Sequence, residues 1–199
     1  MFTPDEALEQ LPLSHARLFE RLTGLTDQQV KQPSRLPGWS IGHVLTHLSR
    51  NADSVVRRLE GAVRDEIVDQ YPGGAPGRRD EIEAGAGRGA GEQIADLRAT
   101  ALRVEEVAAT VPAAAWQRLS RGVGGSLSPA SGVLNSRIRE VEVHHVDLGL
   151  GYQPQDWPAR LVQDELAREL PRLAGRTDPA GLLGWLTGRG PAPELRAWR

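Results

Sequence analysis

The chain contains no cysteine among its 199 residues. This absence excludes a disulfide-framed fold, and it leaves the protein without a thiolate to act as metal ligand or nucleophile. If thiol chemistry takes place on this protein, the sulfur must therefore arrive on a small molecule.

Long apolar runs, excess charge and lysine are also scarce. No apolar run approaches the ~20 residues of a membrane span, and residues 1–20 lack the basic start and apolar centre of a secretory signal. The formal net charge of -2 gives no electrostatic reason to bind nucleic acid or an anionic membrane. We therefore expect a cytoplasmic protein with no nucleic-acid or membrane partner. Lys31 is the single lysine among 24 basic residues, so arginine, which pairs with carboxylates through a planar fork, supplies the positive charge.

Helix signals dominate, and the alternation typical of strands is rare. Thr3-Pro4 and Ser128-Pro129 each place a capping residue before a proline, which is typical of a helix start. The apolar periodicity predicts four long helices, at about 4–22, 39–59, 91–109 and 128–148. Residues 71–91, rich in glycine and arginine, are predicted to be a long loop, either a functional lid or disordered. The pattern predicts an all-α fold, an up-down four-helix bundle.

The bundle is predicted to occupy residues 1–152. The remaining residues, 153–199, are predicted to form a small C-terminal helical segment, with helices near 158–170 and 179–187. At this length one medium domain with a small appendage is expected.

Four of the five histidines fall in two short motifs. His43 and His47 lie in the stretch GWSIGHVLTHL, and His144 and His145 lie in the stretch REVEVHHVDL, where Glu140 precedes His144 by one helical turn. Two imidazoles and a carboxylate from two helices make a metal site of the open kind, with three protein ligands and a position left for water or substrate.

A helical wheel of about 100° per residue indicates which side chains can meet. His47 borders the apolar stripe of its helix, whereas His43 faces outward. One flank of the fourth helix carries, in order, Arg137, Glu140, His144 and Asp147. A bundle that brings these two flanks together places His47, Glu140 and His144 around one point, which predicts a divalent metal site.

Ordinary interpretations exist for each histidine. An E-x-x-x-H pair is common on helices and is weak evidence by itself, so the metal hypothesis depends on the coincidence of two motifs at the core edges of two helices. His145 is interpreted as a core or hydrogen-bonded histidine, His43 as a solvated neighbour, and His15 as an ordinary surface residue.

The chain resembles the mycothiol-dependent maleylpyruvate isomerases, within the DinB-like superfamily of metal-binding bundles. The resemblance covers about residues 1–152. It is carried by four stretches: LPGWSIGHVLTHLSRNADSVVRRLEGA at 36–62, YPGG at 71–74, IEAGAGR at 82–88 and REVEVHHVDLGLGY at 139–152. Carried over residue by residue, the family's metal ligands correspond to His47, Glu140 and His144, the same three that the wheel selects.

The C-terminus departs from the family pattern. Family members continue into a longer segment with several strands and a late arginine that helps hold the substrate carboxylates. Here the stretch LLGWLTGR at 182–189 resembles the family's closing helix, but the preceding strands are missing, so the C-terminal region is expected to be shortened. Arg189 is the candidate for the family's arginine.

The resemblance implies a cis-trans isomerase that uses Zn²⁺, or another divalent first-row metal, together with mycothiol. The thiolate adds to the cis double bond of maleylpyruvate, the new single bond rotates, and elimination gives fumarylpyruvate. Arg137 and Arg189 are candidate catalytic cations, and Arg79 is a candidate for substrate binding. Two alternatives remain open: a mycothiol S-transferase acting on small electrophiles, and a non-catalytic bundle whose fourth metal ligand is His43 or Asp147.

Overall fold

The computed structural model describes residues 1–196, which are mainly helical. In chain order, the helices of that part are α1 (Pro4–Arg21), α2 (Asp27–Val30), α3 (Ile41–Arg64), α4 (Gly74–Ala86), α5 (Ala90–Ala109), α6 (Ser131–Asp147), α7 (Ala159–Glu169) and α8 (Pro179–Leu186). Two short strands, β1 (Leu119–Arg121) and β2 (Leu127–Pro129), form an antiparallel pair. The chain divides into two units, one spanning Phe2–Asp156 and the other comprising Met1 with the residues from Trp157 onward.

The first unit is the predicted four-helix bundle, and the fold class is confirmed. Helix α3 packs mainly against α5, and α1 packs mainly against α6. The apolar stripes of these helices meet in a core that includes Leu18, Leu45, Leu48, Leu97 and Val141. Burying a side chain of this size contributes about 1.5–3 kcal/mol, so the shared core fixes the mutual placement of the four helices.

The start of α3 follows directly from local sequence. Ser40 accepts a hydrogen bond from the backbone N–H of His43, and the His43 side chain bonds back to Ser40, which forms a capping box. The predicted end near residue 59 is wrong, because the helix continues to Arg64 and is followed by Asp65, a residue with φ of 61°. Gly61 is needed for close packing, since a Cβ there would lie 2.9 Å from Val68.

The prediction of a loop over residues 71–91 is wrong, because residues 74–86 of that stretch form α4. The helix starts after Gly73, whose φ is 71°, with no side-chain cap, so the usual start signals are absent. Burial stabilises it: Ile82 and Ala86 are both buried. Gly42 of α3 permits the approach, because a Cβ at Gly42 would lie only 2.3 Å from the carbonyl oxygen of Ala86.

The predicted start of the fourth helix at Ser128 is also wrong. Ser128 and Pro129 belong to β2, where Ser128 is paired with Ser120, and α6 begins at Ser131. Proline is compatible with the edge of a two-stranded sheet because no ladder hydrogen bond is required there. The chain changes direction at Ala130, which is fully buried and whose N–H donates to the carbonyl of Arg118.

The second unit contains α7 and α8, close to the two predicted C-terminal helices, and residues 157–196 contain no strand. Asp178 caps α8 by accepting from the N–H of Gly181. The amino terminus of Met1 forms an ion pair with Asp164 at 2.8 Å. Within residues 1–196, no helix is both long and apolar enough to cross a membrane.

Candidate metal centre

Helices α3 and α6 bring His47, Glu140 and His144 together in the bundle. His47 Nε2 lies 2.9 Å from Glu140 Oε2 and 3.0 Å from His144 Nε2, and His144 Nε2 lies 3.3 Å from Glu140 Oε2. Ligands held at about 2.1 Å from a tetrahedral Zn²⁺ are separated by about 3.4 Å. The spacing and chemistry of these donors therefore fit a first-row divalent ion, with two imidazoles and one carboxylate as protein ligands.

Asp147 orients His144 for this role. His144 Nδ1 lies 2.8 Å from Asp147 Oδ2, and because an ionised carboxylate only accepts, Nδ1 carries the proton. This leaves Nε2 directed at His47 and Glu140. Such carboxylate–histidine pairs are typical of metal sites, where they fix the ring and raise its basicity. Burial opposes charge on His144, but hydrogen bonds to Asp147 and Glu140 outweigh it and raise its pKa to about 9.

Glu140 is the acidic member of the group. Burial opposes its ionisation, but hydrogen bonds from His144 and His47 outweigh that effect and hold its pKa well below the usual value. The side chain is 21% exposed, so the group opens to solvent on the side of Glu140. An ionised, partly accessible carboxylate beside two imidazoles is the donor set of an open site, in which one position remains for an exchangeable ligand.

His47 is buried, and Arg78 of α4 covers its other nitrogen. Burial lowers the pKa of His47 to about 4, so its ring is neutral. Arg78 Nη2 lies 3.1 Å from His47 Nδ1, and because a guanidinium only donates, Nδ1 accepts. A metal bound at Nε2 requires the ring proton on Nδ1, which leaves no acceptor for Arg78. Metal binding at Nε2 and this Arg78 contact would therefore exclude each other.

Arg78 is a candidate functional residue that the sequence did not single out. Its guanidinium lies 6.0 Å from the centre of the Trp39 ring and 5.8 Å from the centre of the Tyr71 ring. The predicted substrate residue, Arg79, is instead 70% exposed beside Asp80. Recognition of α4 would have distinguished the two arginines, because Arg78 and the buried Ile82 are one helical turn apart on the same face.

The other two predicted cations, Arg137 and Arg189, hydrogen-bond to other groups of the chain. Arg137 is fully buried, and its Nη1 donates to the Leu48 carbonyl at 2.7 Å and to Asn51 Oδ1 at 2.9 Å. Arg189 lies in the second unit, just after α8, where it is exposed and donates to the Thr187 carbonyl. The catalytic role of Arg189 stays a prediction.

The two candidate fourth ligands are engaged elsewhere. His43 Nδ1 lies 2.7 Å from Ser40 Oγ, and its Nε2 lies 3.4 Å from Glu83. Asp147 contacts His144 from behind the donor group. Within residues 1–196, the group that can hold a metal consists of three residues, which is the composition of an open site.

The remaining histidines are both buried. The prediction that His15 is a surface residue is wrong: it is 2% exposed, and its Nδ1 lies 2.6 Å from Glu105 of α5. His145 lies in the core, as expected, and stacks on Tyr152 at 3.8 Å between ring centres. His145 therefore belongs to the packing of α6 and does not join the donor group.

Comparison with known proteins identifies the family. The family model described as "Mycothiol maleylpyruvate isomerase N-terminal domain" matches residues 11–149. Two solved structures, a mycothiol-dependent maleylpyruvate isomerase and a His-to-Ala variant of that enzyme, each match with a TM-score of 0.86 at 20% sequence identity, over 100% of this chain and 100% of theirs. At this identity the likeness shows a shared fold. None of the curated proteins matches. The family model spans more than half of the chain, which therefore belongs to the mycothiol maleylpyruvate isomerase family, a family of isomerase enzymes.

Proposed function

We propose that the chain is a metal- and mycothiol-dependent cis-trans isomerase that converts maleylpyruvate to fumarylpyruvate. The observation that carries the proposal is the convergence of His47, Glu140 and His144 on one point, with a partly exposed side and with Asp147 behind His144. The protein contains no cysteine, so a nucleophilic thiol has to be supplied by a small molecule. The expected cytoplasmic location stays a prediction.

The donor set suits Zn²⁺ best, since imidazole and carboxylate are both common zinc ligands, and other first-row divalent ions bind such sites as well. When bound, the metal supplies Lewis acidity that lowers the pKa of a thiol coordinated to it. Residues of this chain hold the metal through the three donors, and Asp147 keeps His144 in the tautomer that a metal ligand requires.

The isomerisation itself needs only addition, rotation and elimination. The thiolate forms a bond to one carbon of the cis double bond, and the electron pair moves into the adjacent carbonyl as an enolate. The former double bond is then single and rotates. Return of the electron pair expels the thiolate and restores the double bond in the trans geometry, so no oxidant, reductant or net proton is consumed.

Arg78 is suited to hold a carboxylate of the substrate. It borders His47 and lies between the faces of Trp39 and Tyr71, and metal binding at His47 releases its guanidinium from Nδ1. A free guanidinium beside the donor group binds a carboxylate through two parallel hydrogen bonds. In this position it also stabilises the negative charge that develops on the enolate.

Replacing Arg78 by alanine is therefore expected to raise the KM for maleylpyruvate by roughly 10- to 100-fold, because a hydrogen bond to a charged group contributes about 1.5–3 kcal/mol. Steady-state kinetics at saturating mycothiol measures this effect. Arg79→Ala is the matched control, since Arg79 is the adjacent residue on α4 and faces solvent. If the KM for maleylpyruvate rises in the Arg79 variant and not in the Arg78 variant, Arg79 and not Arg78 binds the substrate carboxylate.

The test of the proposed activity is the product formed by purified, metal-loaded protein from maleylpyruvate and mycothiol. Fumarylpyruvate formed in many turnovers, with mycothiol recovered unchanged, supports the isomerase. A stable mycothiol conjugate formed from this or another electrophile, without isomerisation, identifies an S-transferase instead. Absence of both products from protein that holds one equivalent of metal would leave a non-catalytic metal-binding bundle.

A further inference from the structure

Arg137 is a fully buried arginine that joins two helices of the bundle. From α6, its Nη1 donates to the backbone carbonyl of Leu48 at 2.7 Å and to Asn51 Oδ1 at 2.9 Å, and both acceptors belong to α3. A helical carbonyl oxygen has two lone pairs, so Leu48 can accept this bond in addition to its own helical bond. The guanidinium therefore links α6 to the backbone of α3 at one defined point.

That point lies beside the candidate metal centre. Leu48 follows His47 directly, and Arg137 precedes Glu140 by three residues, so it lies on the same face of α6 as Glu140. The bond consequently sets the separation of α3 and α6 at the level where the donor atoms meet. A change in that separation alters the distance from His47 to Glu140 and to His144.

Stability alone does not account for an arginine at this position. Within residues 1–196, Arg137 has no ion pair with a carboxylate, and its Nε and Nη2 are buried without a hydrogen-bond partner. Burial lowers the pKa of its guanidinium to about 10. A buried charge without a paired counter-ion is costly, and an apolar side chain of similar volume generally packs two helices together at least as well. The arginine adds directional bonds to α3, which an apolar side chain cannot provide.

We infer that Arg137 is a positioning residue, which holds His47 at the distance from Glu140 and His144 that a bound metal requires. This inference rests on the proposed metal site and assigns Arg137 a role different from the direct catalytic contact expected from the sequence. Loss of residues that orient metal ligands typically lowers metal affinity by 10- to 100-fold.

The test compares the metal affinity and the folding stability of two arginine variants. Arg137→Met removes both bonds and keeps the volume, and its Zn²⁺ affinity, measured by competition with a chelator, is expected to fall by about 10- to 100-fold. Arg17→Met is the control, because Arg17 also forms a bond to a buried residue of α6, at 2.5 Å from Glu142, but on another face of that helix. The control is expected to lose stability in denaturant and to keep its Zn²⁺ affinity.

Two further variants keep the inference testable. Arg137→Lys retains a donor for both acceptors and is expected to recover part of the affinity lost in the Met variant. If Arg137→Met does not fold, Asn51→Ala removes one acceptor while keeping the guanidinium, and is expected to weaken Zn²⁺ binding several-fold. A folded Arg137→Met with wild-type affinity overturns the inference, as does unchanged affinity in Asn51→Ala if the Met variant does not fold. Failure of the wild-type protein to bind Zn²⁺ would instead contradict the proposed metal site.

Discussion

Replacing His47, Glu140 or His144 by alanine is expected to remove most of the bound metal while the bundle stays folded. The group comprises three residues, so each substitution removes one of three ligands, and two remaining donors hold a divalent ion weakly. The fold tolerates the changes because the core consists of apolar residues of the four long helices. Elemental analysis of the purified variants, with circular dichroism as the check on folding, measures the effect.

His43→Ala is the control for this prediction. His43 lies one turn before His47 on α3, but it bonds to Ser40 and Glu83, so its variant is expected to keep one equivalent of metal. Asp147→Ala is expected to have an intermediate effect. Its metal affinity should fall by about 10- to 100-fold, because the substitution removes the carboxylate that orients His144. One equivalent of metal retained in His47→Ala would show that the ligand assignment is wrong.

The second large effect is expected in turnover. With mycothiol present, Glu140→Ala and His144→Ala are expected to isomerise maleylpyruvate orders of magnitude more slowly than the wild-type protein, since the Lewis acid is lost with its ligands. The same assay on Arg78→Ala distinguishes metal ligands from a substrate-binding residue, because that variant is expected to keep the metal and to lose a substrate contact. Rates within a few-fold of wild type in the metal-free Glu140 variant would show that the isomerisation does not need this site.

The sequence predicted the helices of the bundle well where local signals and burial agree. The capping box at Thr3, for example, starts α1 at Pro4. The proximity of the three side chains was also predictable, because the helical wheel places His47 at one core edge, and Glu140 and His144 on one flank of another helix. A regular helix and one buried stripe were sufficient for that inference.

Helix α4 and the antiparallel strands β1 and β2 could not be predicted in the same way. The start of α4 has no side-chain cap, and glycines lower its intrinsic helix propensity, so its stability comes from packing against α3 at Gly42. Because α4 was missed, Arg78 was not distinguished from Arg79. Ser128 and Pro129 have the residue types of a helix start, but pairing with β1 outweighs this local signal.

His15 shows that the sequence pattern of one helix does not predict contacts with a distant part of the chain. Its hydrogen-bond partner Glu105 is ninety positions away on α5, and the pattern of a single helix contains no information about that partner. Arg137 is a related case. The sequence placed Arg137 on the correct flank of its helix. Its full burial and its contact with the α3 backbone depend on the distance between two packed helices, which the sequence pattern does not give.

The rate of maleylpyruvate isomerisation by metal-loaded protein, measured with and without added mycothiol, tests the central claim most directly. The protein contains no cysteine, so the thiol that adds to the double bond has to come from solution. The account predicts rapid formation of fumarylpyruvate with mycothiol and, in its absence, a rate close to that of the uncatalysed reaction. Equal rates in the two conditions would contradict it.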